Sequence, residues 1–284
     1  MGSQRARLEV AHNGNIAKVL LAAPKANILD RGMMRDIAEI LTGPLMSLNP
    51  KAIVVTGEGQ NFSFGASVSE HLPSEIEPTL AELRNLLSLM IKAQAPTIAA
   101  VRGQCLGGGF ELALACDLIA AEDTAQFACP EIKLGVFPPA GSALLPVRAG
   151  SSWANKIVLT GSASSGRELA AVGVVSRLAA PGELDRELDA WLESDFLPRS
   201  TSALRHAATA ARLSVRRALE QDLPLLEKLY LDRLMREPDA IEGIRAFLEK
   251  RAPQWSAAES AERKCPSDET FSNRAPTHIG AKLI

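Results

Sequence analysis

The chain has 284 residues, 46% of them hydrophobic and 23% charged, which is apolar material enough for one or two domains with a sizeable core and far from a disordered composition. The formal net charge is −2 and aromatic residues make up 4%, which argues against a dedicated nucleic-acid or anionic-membrane binder and against a stacking platform for bases. Cys105, Cys116, Cys129 and Cys265 form no Cys-x-x-Cys pair, and His12, His71, His206 and His278 lack metal-ligand spacing, so buried reduced thiols and no metal site are expected.

The N-terminus has no apolar signal core and no apolar run reaches the length of a membrane span, so a cytoplasmic protein is expected. In chain order, residues 16–22 and 52–56 predict the first strands, and 97–101 and 118–121 the next. Helical patterns fall between them, at 33–48 and 80–93. This alternation points to an α/β core. Gly43-Pro44 is expected to end or break the first helix, because proline has no N–H to donate and clashes with the turn before it.

From about Trp153 onward helical patterns dominate, over 183–196, 200–217, 219–236 and 238–250. Leu225, Leu226, Leu229 and Leu234 are expected to share one apolar face, able to cover the core or to pack on another subunit. Arg205, His206, Arg212, Arg216 and Arg217 make these helices locally basic and are expected on solvated faces. Beyond Trp255 the chain turns polar, holds Pro266 and Pro276, and is expected to be a disordered tail.

Four local features carry candidate chemistry. Phe62-Ser63-Phe64-Gly65-Ala66-Ser67 follows a buried strand, and small residues there let a backbone N–H approach a ligand. By itself it reads as a simple loop. In Arg102-Gly103-Gln104-Cys105-Leu106-Gly107-Gly108-Gly109-Phe110-Glu111 a strand runs into three glycines and then a helical pattern. Free N–H groups at a helix start, with the positive end of the dipole behind them, suit a developing oxyanion; close helix packing is the alternative. The Gly-x-x-x-x-Gly-Lys-Ser/Thr nucleotide loop is absent.

Glu111 lies in an otherwise apolar stretch. It either complements its own helix dipole or acts as a general acid or base with a shifted pKa. Glu131 follows a proline in Ala128-Cys129-Pro130-Glu131-Ile132-Lys133-Leu134-Gly135, where it can simply start a helix.

Together these segments resemble the crotonase, or enoyl-CoA hydratase/isomerase, superfamily, over about residues 8–255 and including the late 239–251 segment. The resemblance implies an α/β fold, a crotonase-type spiral of repeated ββα units with a C-terminal helical region. It divides the chain into a core at 1–198, a helical trimerisation region at 199–256 and the tail at 257–284. It places oxyanion-hole N–H groups at Ala66 and Gly108 and catalytic carboxylates at Glu111 and Glu131. An acyl-CoA substrate would run along Lys25-Ala26-Asn27 and Gly65-Ala66-Ser67, with Gly107 and Phe137 also in contact. His71 is expected to touch CoA or shape a loop. The resemblance further implies a homotrimer or hexamer and no cofactor beyond the CoA of the substrate, with no nucleic-acid or membrane partner.

The sequence departs from the common hydratase pattern at Ser67 in place of Asp, at Cys129 in place of Gln, and at Ser142-Ala143-Leu144-Leu145 in place of Gly-Gly-Thr-Gln. These departures point away from straight-chain enoyl-CoA substrates. With Pro24-Lys25-Ala26-Asn27-Ile28-Leu29-Asp30 and the 62–73 segment, they resemble the cyclohexa-1,5-diene-1-carbonyl-CoA hydratases of anaerobic benzoyl-CoA degradation. A general enoyl-CoA hydratase, an acyl-CoA isomerase or hydrolase, and a crotonase-fold binding protein are the alternatives. Retention of both glutamates and the three glycines argues against lost catalysis.

Overall fold

A computed structural model describes residues 4–23 and 26–256. Lys25 and the 257–284 tail, with Cys265 and His278, therefore lie outside the described residues. The chain opens with a hairpin that the sequence reading lacked in its first arm: β1 (Ala6–Ala11) pairs antiparallel with β2 (Ile16–Leu21). Helix α1 (Arg31–Thr42) follows, its start fixed by Asp30, whose side chain accepts from the Met33 N–H at 2.9 Å. It ends at Gly43-Pro44, as expected. Next come β3 (Ala52–Gly57) and α2 (Ile76–Lys92). The latter begins four residues before the sequence reading put it, because Pro78 sits in the first turn, where a helical N–H has no acceptor.

The next two turns of the chain repeat one plan. β4 (Thr97–Val101) crosses the larger sheet, β5 (Gln104–Leu106) a smaller one, and α3 (Gly108–Ala115) closes the turn. β6 (Leu118–Glu122) and β7 (Gln126–Ala128) do the same, followed by the 3-10 turn Pro130–Leu134 and by α4 (Pro139–Ala149) and α5 (Ser151–Thr160). β8 (Ser164–Ser165), α6 (Gly166–Ala171) and β9 (Arg177–Ala179) complete the spiral. The strand expected at 97–101 is β4, and the strand that leads into the glycines is a separate one, β5, in the other sheet.

The larger sheet has the order β1-β2-β3-β4-β6-β9, parallel from β2 onward; the smaller is β5-β7-β8. Alternate residues of the central strands face opposite layers. Ile53, Val55, Ala99 and Val101 face the main core with α1 and α2. Ala52, Val54, Ile98 and Ala100 face α7 (Leu184–Trp191) through Leu184 and Leu188. Burial on both faces explains why these strands read as unbroken apolar runs.

α8 (Thr201–Ala211), α9 (Leu213–Arg217), α10 (Leu223–Asp232) and α11 (Pro238–Leu248) fold back over this core. Val215, Ala218, Leu219 and Leu223 join the main cluster, and Tyr230, Ala240 and Ile244 form another with Ile76, Leu80 and Val136. Two expectations are corrected. Arg212 is not solvated: it is 2% exposed and bonds Asp117 at 2.6 and 2.7 Å and the Ala95 carbonyl at 2.7 Å. The four leucines do not share one face. The inward face of α10 is Leu223, Glu227 and Tyr230, with Leu226 partly buried, while Leu225 and Leu229 are exposed at 46% and 43%. Among the described residues no helix is long and apolar enough to cross a membrane.

Candidate active site

Two loops meet at the head of α3. Ser63 bridges to Cys105. Its N–H donates to the Gln104 carbonyl at 3.0 Å, and its carbonyl accepts from the Leu106 N–H at 2.9 Å. The Ser63 hydroxyl donates to the Asn27 carbonyl at 2.7 Å and accepts from the Gly65 N–H at 3.0 Å. This pinning sets the next residue, Ala66, beside the glycines. A Cβ built on Gly108 would lie 3.3 Å from Ala66 N, so the two amides are neighbours. Neither N–H bonds another described residue. Gly107, just before them, has φ +47°, and a Cβ there would lie 2.6 Å from Glu131 Oε1; only glycine fits.

Glu111 and Glu131 reach the same place from successive turns of the spiral. Glu111 is 3% exposed, in a helix whose eight residues are all buried. Its carboxylate does not serve its own helix dipole. It accepts from the Gly141 N–H at 2.7 Å, at the start of α4. Burial raises its pKa to about 7; the N–H groups of Gly141 and Ala140 hold it down, and Glu227 pushes it up. Glu131 sits in the 3-10 turn after Pro130, 8% exposed, with Oε2 unpartnered among the described residues. Burial raises it to about 8, Glu111 adds to the rise, and its own N–H opposes it. Burial thus favours the protonated form of both carboxyls, and for Glu131 the charge of Glu111 adds to it. Two free amides beside two buried, protonatable carboxyl groups can hold a carbonyl oxygen and move protons at the carbons next to it.

Both amides and both carboxylates line one cavity with Gly65, Gly107, His71, Phe137 and Tyr230. It adjoins a groove of about 730 Å³, which shares Phe64, Ala66 and Pro130 with it and is lined further by Ala26, Ser67, Lys133 and Phe247. Asn27 is brought near but its side chain is already used. It accepts from the Ala23 N–H at 3.2 Å and donates to the carbonyls of Glu58 and Asn61, both at 3.0 Å. Asn27 thus shapes the loop rather than offering its amide to a ligand. His71 is tied to the Ser67 carbonyl at 2.9 Å, and burial lowers its pKa. Cys105, Cys116 and Cys129 are buried free thiols. Among the described residues no cluster of His, Cys, Asp or Glu could hold a metal ion.

Sequence reasoning missed Tyr230, which reaches the cavity from α10, and the ion pair of Glu227 with Arg84 behind Glu111. Tyr230 is the chain's single tyrosine. That rarity was the available signal.

A ββα spiral carrying such a cavity defines an enzyme of the crotonase fold. The chain belongs to the enoyl-CoA hydratase/isomerase family, whose profile matches residues 11–258. It is 40% identical over 245 residues to the cyclohexa-1,5-dienecarbonyl-CoA hydratase of Thauera aromatica, covering 86% of this chain and 93% of that one. It is 34% identical over 251 residues to the 2,3-dehydroadipyl-CoA hydratase of Escherichia coli K12, covering 87% and 98%. The crystal structure of an enoyl-CoA hydratase/isomerase from Xanthobacter autotrophicus Py2 superposes with a TM-score of 0.76 at 27% identity, covering 89% of this chain and 99% of that one.

Proposed function

We propose that the chain adds water to, or removes it from, an unsaturated acyl-CoA, and that the acyl group is cyclohexa-1,5-diene-1-carbonyl. The observation that carries the hydratase reading is the buried Glu111–Glu131 pair beside the free amides of Ala66 and Gly108. The ring substrate is supported by the 40% identity to the dienecarbonyl-CoA hydratase and by an apolar cavity wall that includes Phe137 and Leu80.

The thioester oxygen accepts from Ala66 N–H and Gly108 N–H. Glu111, whose charge the α4 amides favour, takes a proton from water. The water oxygen bonds to C2 of the ring, β to the carbonyl, and the C1=C2 electron pair moves onto the thioester oxygen. That charge is stabilised by donors already in place, one of which is worth roughly 3 kcal/mol in other enzymes. The electrons return through a new C1=C6 double bond as C5 takes the proton held by Glu131. The product, renumbered, is 6-hydroxycyclohex-1-ene-1-carbonyl-CoA. On a straight-chain substrate the same groups would deliver the proton to the α carbon.

The CoA arm is placed in the groove lined by Ala26, Ser67 and Lys133. No cofactor takes part in this scheme. A homotrimer or hexamer is proposed, supported by exposed Leu225 and Leu229 one turn apart on α10.

The test is ultraviolet and product analysis with cyclohexa-1,5-diene-1-carbonyl-CoA and crotonyl-CoA. Hydration of the diene, lost in Glu111→Gln and Glu131→Gln, is the expected result. Turnover of crotonyl-CoA alone would overturn the ring substrate, and silence on both would overturn hydration.

A further inference from the structure

Tyr230 is 1% exposed, and its hydroxyl has no hydrogen-bond partner among the described residues. An orphaned buried hydroxyl costs stability, so its retention calls for a reason. Its ring meets Phe137 edge-on, with centroids 5.4 Å apart, and lines the same cavity as the two glutamates. Packing alone would be met by phenylalanine. Burial, then Glu131, then Glu111 push the phenol pKa up, so the hydroxyl stays a donor throughout the working range.

We propose that Tyr230 is a further catalytic residue, whose hydroxyl donates a hydrogen bond to the oxygen that enters as water and remains as the product hydroxyl. This rests on the hydratase reading above. Of that oxygen's two lone pairs, one forms the C–O bond and the other accepts from Tyr230, while one hydrogen leaves to Glu111. In the reverse direction the same bond supports the departing oxygen. The C-terminal helices would then supply a group to the chemistry as well as cover to the core.

The test is Tyr230→Phe, which keeps the ring and removes only the oxygen. Turnover should fall roughly 10- to 100-fold, with thermal stability unchanged or raised because an unpaired polar atom is gone. Binding is measured separately, with 3-hydroxybutyryl-CoA against butyryl-CoA and 6-hydroxycyclohex-1-ene-1-carbonyl-CoA against its deoxy counterpart. In the pair that wild type binds more tightly, the preference for the hydroxylated ligand should drop about tenfold. An unchanged preference overturns the proposal even if turnover falls. Wild type inactive on every substrate would sink hydration alone, since the binding ratio still decides the hydroxyl contact. Should the variant fail to fold, 3-fluorotyrosine incorporation labels this one site. Its fluorine resonance should then differ between the hydroxylated and deoxy complexes, and identical spectra overturn the proposal.

Discussion

At the scale of single residues, burying the two glutamates makes stability depend on pH. Both are carboxylates whose folded pKa lies above the ordinary value of 4.5. The folded state therefore binds more protons than the unfolded one between about 4.5 and 8. Their favourable contribution is complete below 4.5 and is lost as pH rises through the folded values. Glu131→Gln removes one such titration. Its stability relative to wild type should climb from pH 5 to pH 8, by about 1 kcal/mol per pH unit, while activity disappears. Urea unfolding at three pH values measures this, and parallel curves would contradict it. The sequence supplied both acids through their motifs, but not their partners. The amides that hold Glu111 belong to Ala140 and Gly141 in a later helix, and no local pattern announces such a pairing. Tyr230 was hidden for the same reason.

At the scale of elements, the turn into α3 sets the distance between amides and acid. Gly107→Ala would force an L side chain to φ +47° and press a Cβ against Glu131 Oε1. The strain should cost about 1–2 kcal/mol, and the displaced carboxylate should lower turnover more than tenfold while CoA-thioester binding changes less. Equal activity would show that Glu131 does not depend on this turn. The long elements were legible because β3 and β4 are unbroken apolar runs and α7 carries its apolar residues at helical spacing. β5 and β7 have three residues each and β8 two, too few for a period to register, although the smaller sheet they make is what presents Gly107 and Pro130. The face of α10 was misread because leucines suit an exposed surface as well as a core, and because Glu227 lies on the inward side.

At the scale of the whole molecule, the C-terminal helices are fastened to the spiral by Arg212. Its guanidinium joins Asp117, after α3, to the Ala95 carbonyl ahead of β4. Without Arg212 the largely buried Asp117 carboxylate keeps the Thr97 N–H and hydroxyl but loses its guanidinium. Arg212→Met should destabilise the protein by about 3–5 kcal/mol. Because Tyr230 and Glu227 ride on the same helical layer, activity should fade at milder denaturant than the far-ultraviolet signal of the sheets. Coincident loss of both would mean the layers unfold as one. The helical composition of this half was plain in the sequence, whereas its fastening depended on an arginine that charge patterning assigned to solvent.

The bond from Gly141 to Glu111 has a consequence for motion. Every time Glu111 accepts a proton, α4 loses an anion from its positive end, and every release restores it. Under the proposed mechanism, turnover would loosen and tighten the first turn of a helix that spans Pro139–Ala149. The amide hydrogens of Ala140 and Gly141 should exchange with solvent faster as the pH falls below the Glu111 titration, beyond the intrinsic trend, giving the enzyme a built-in gauge of where its proton resides.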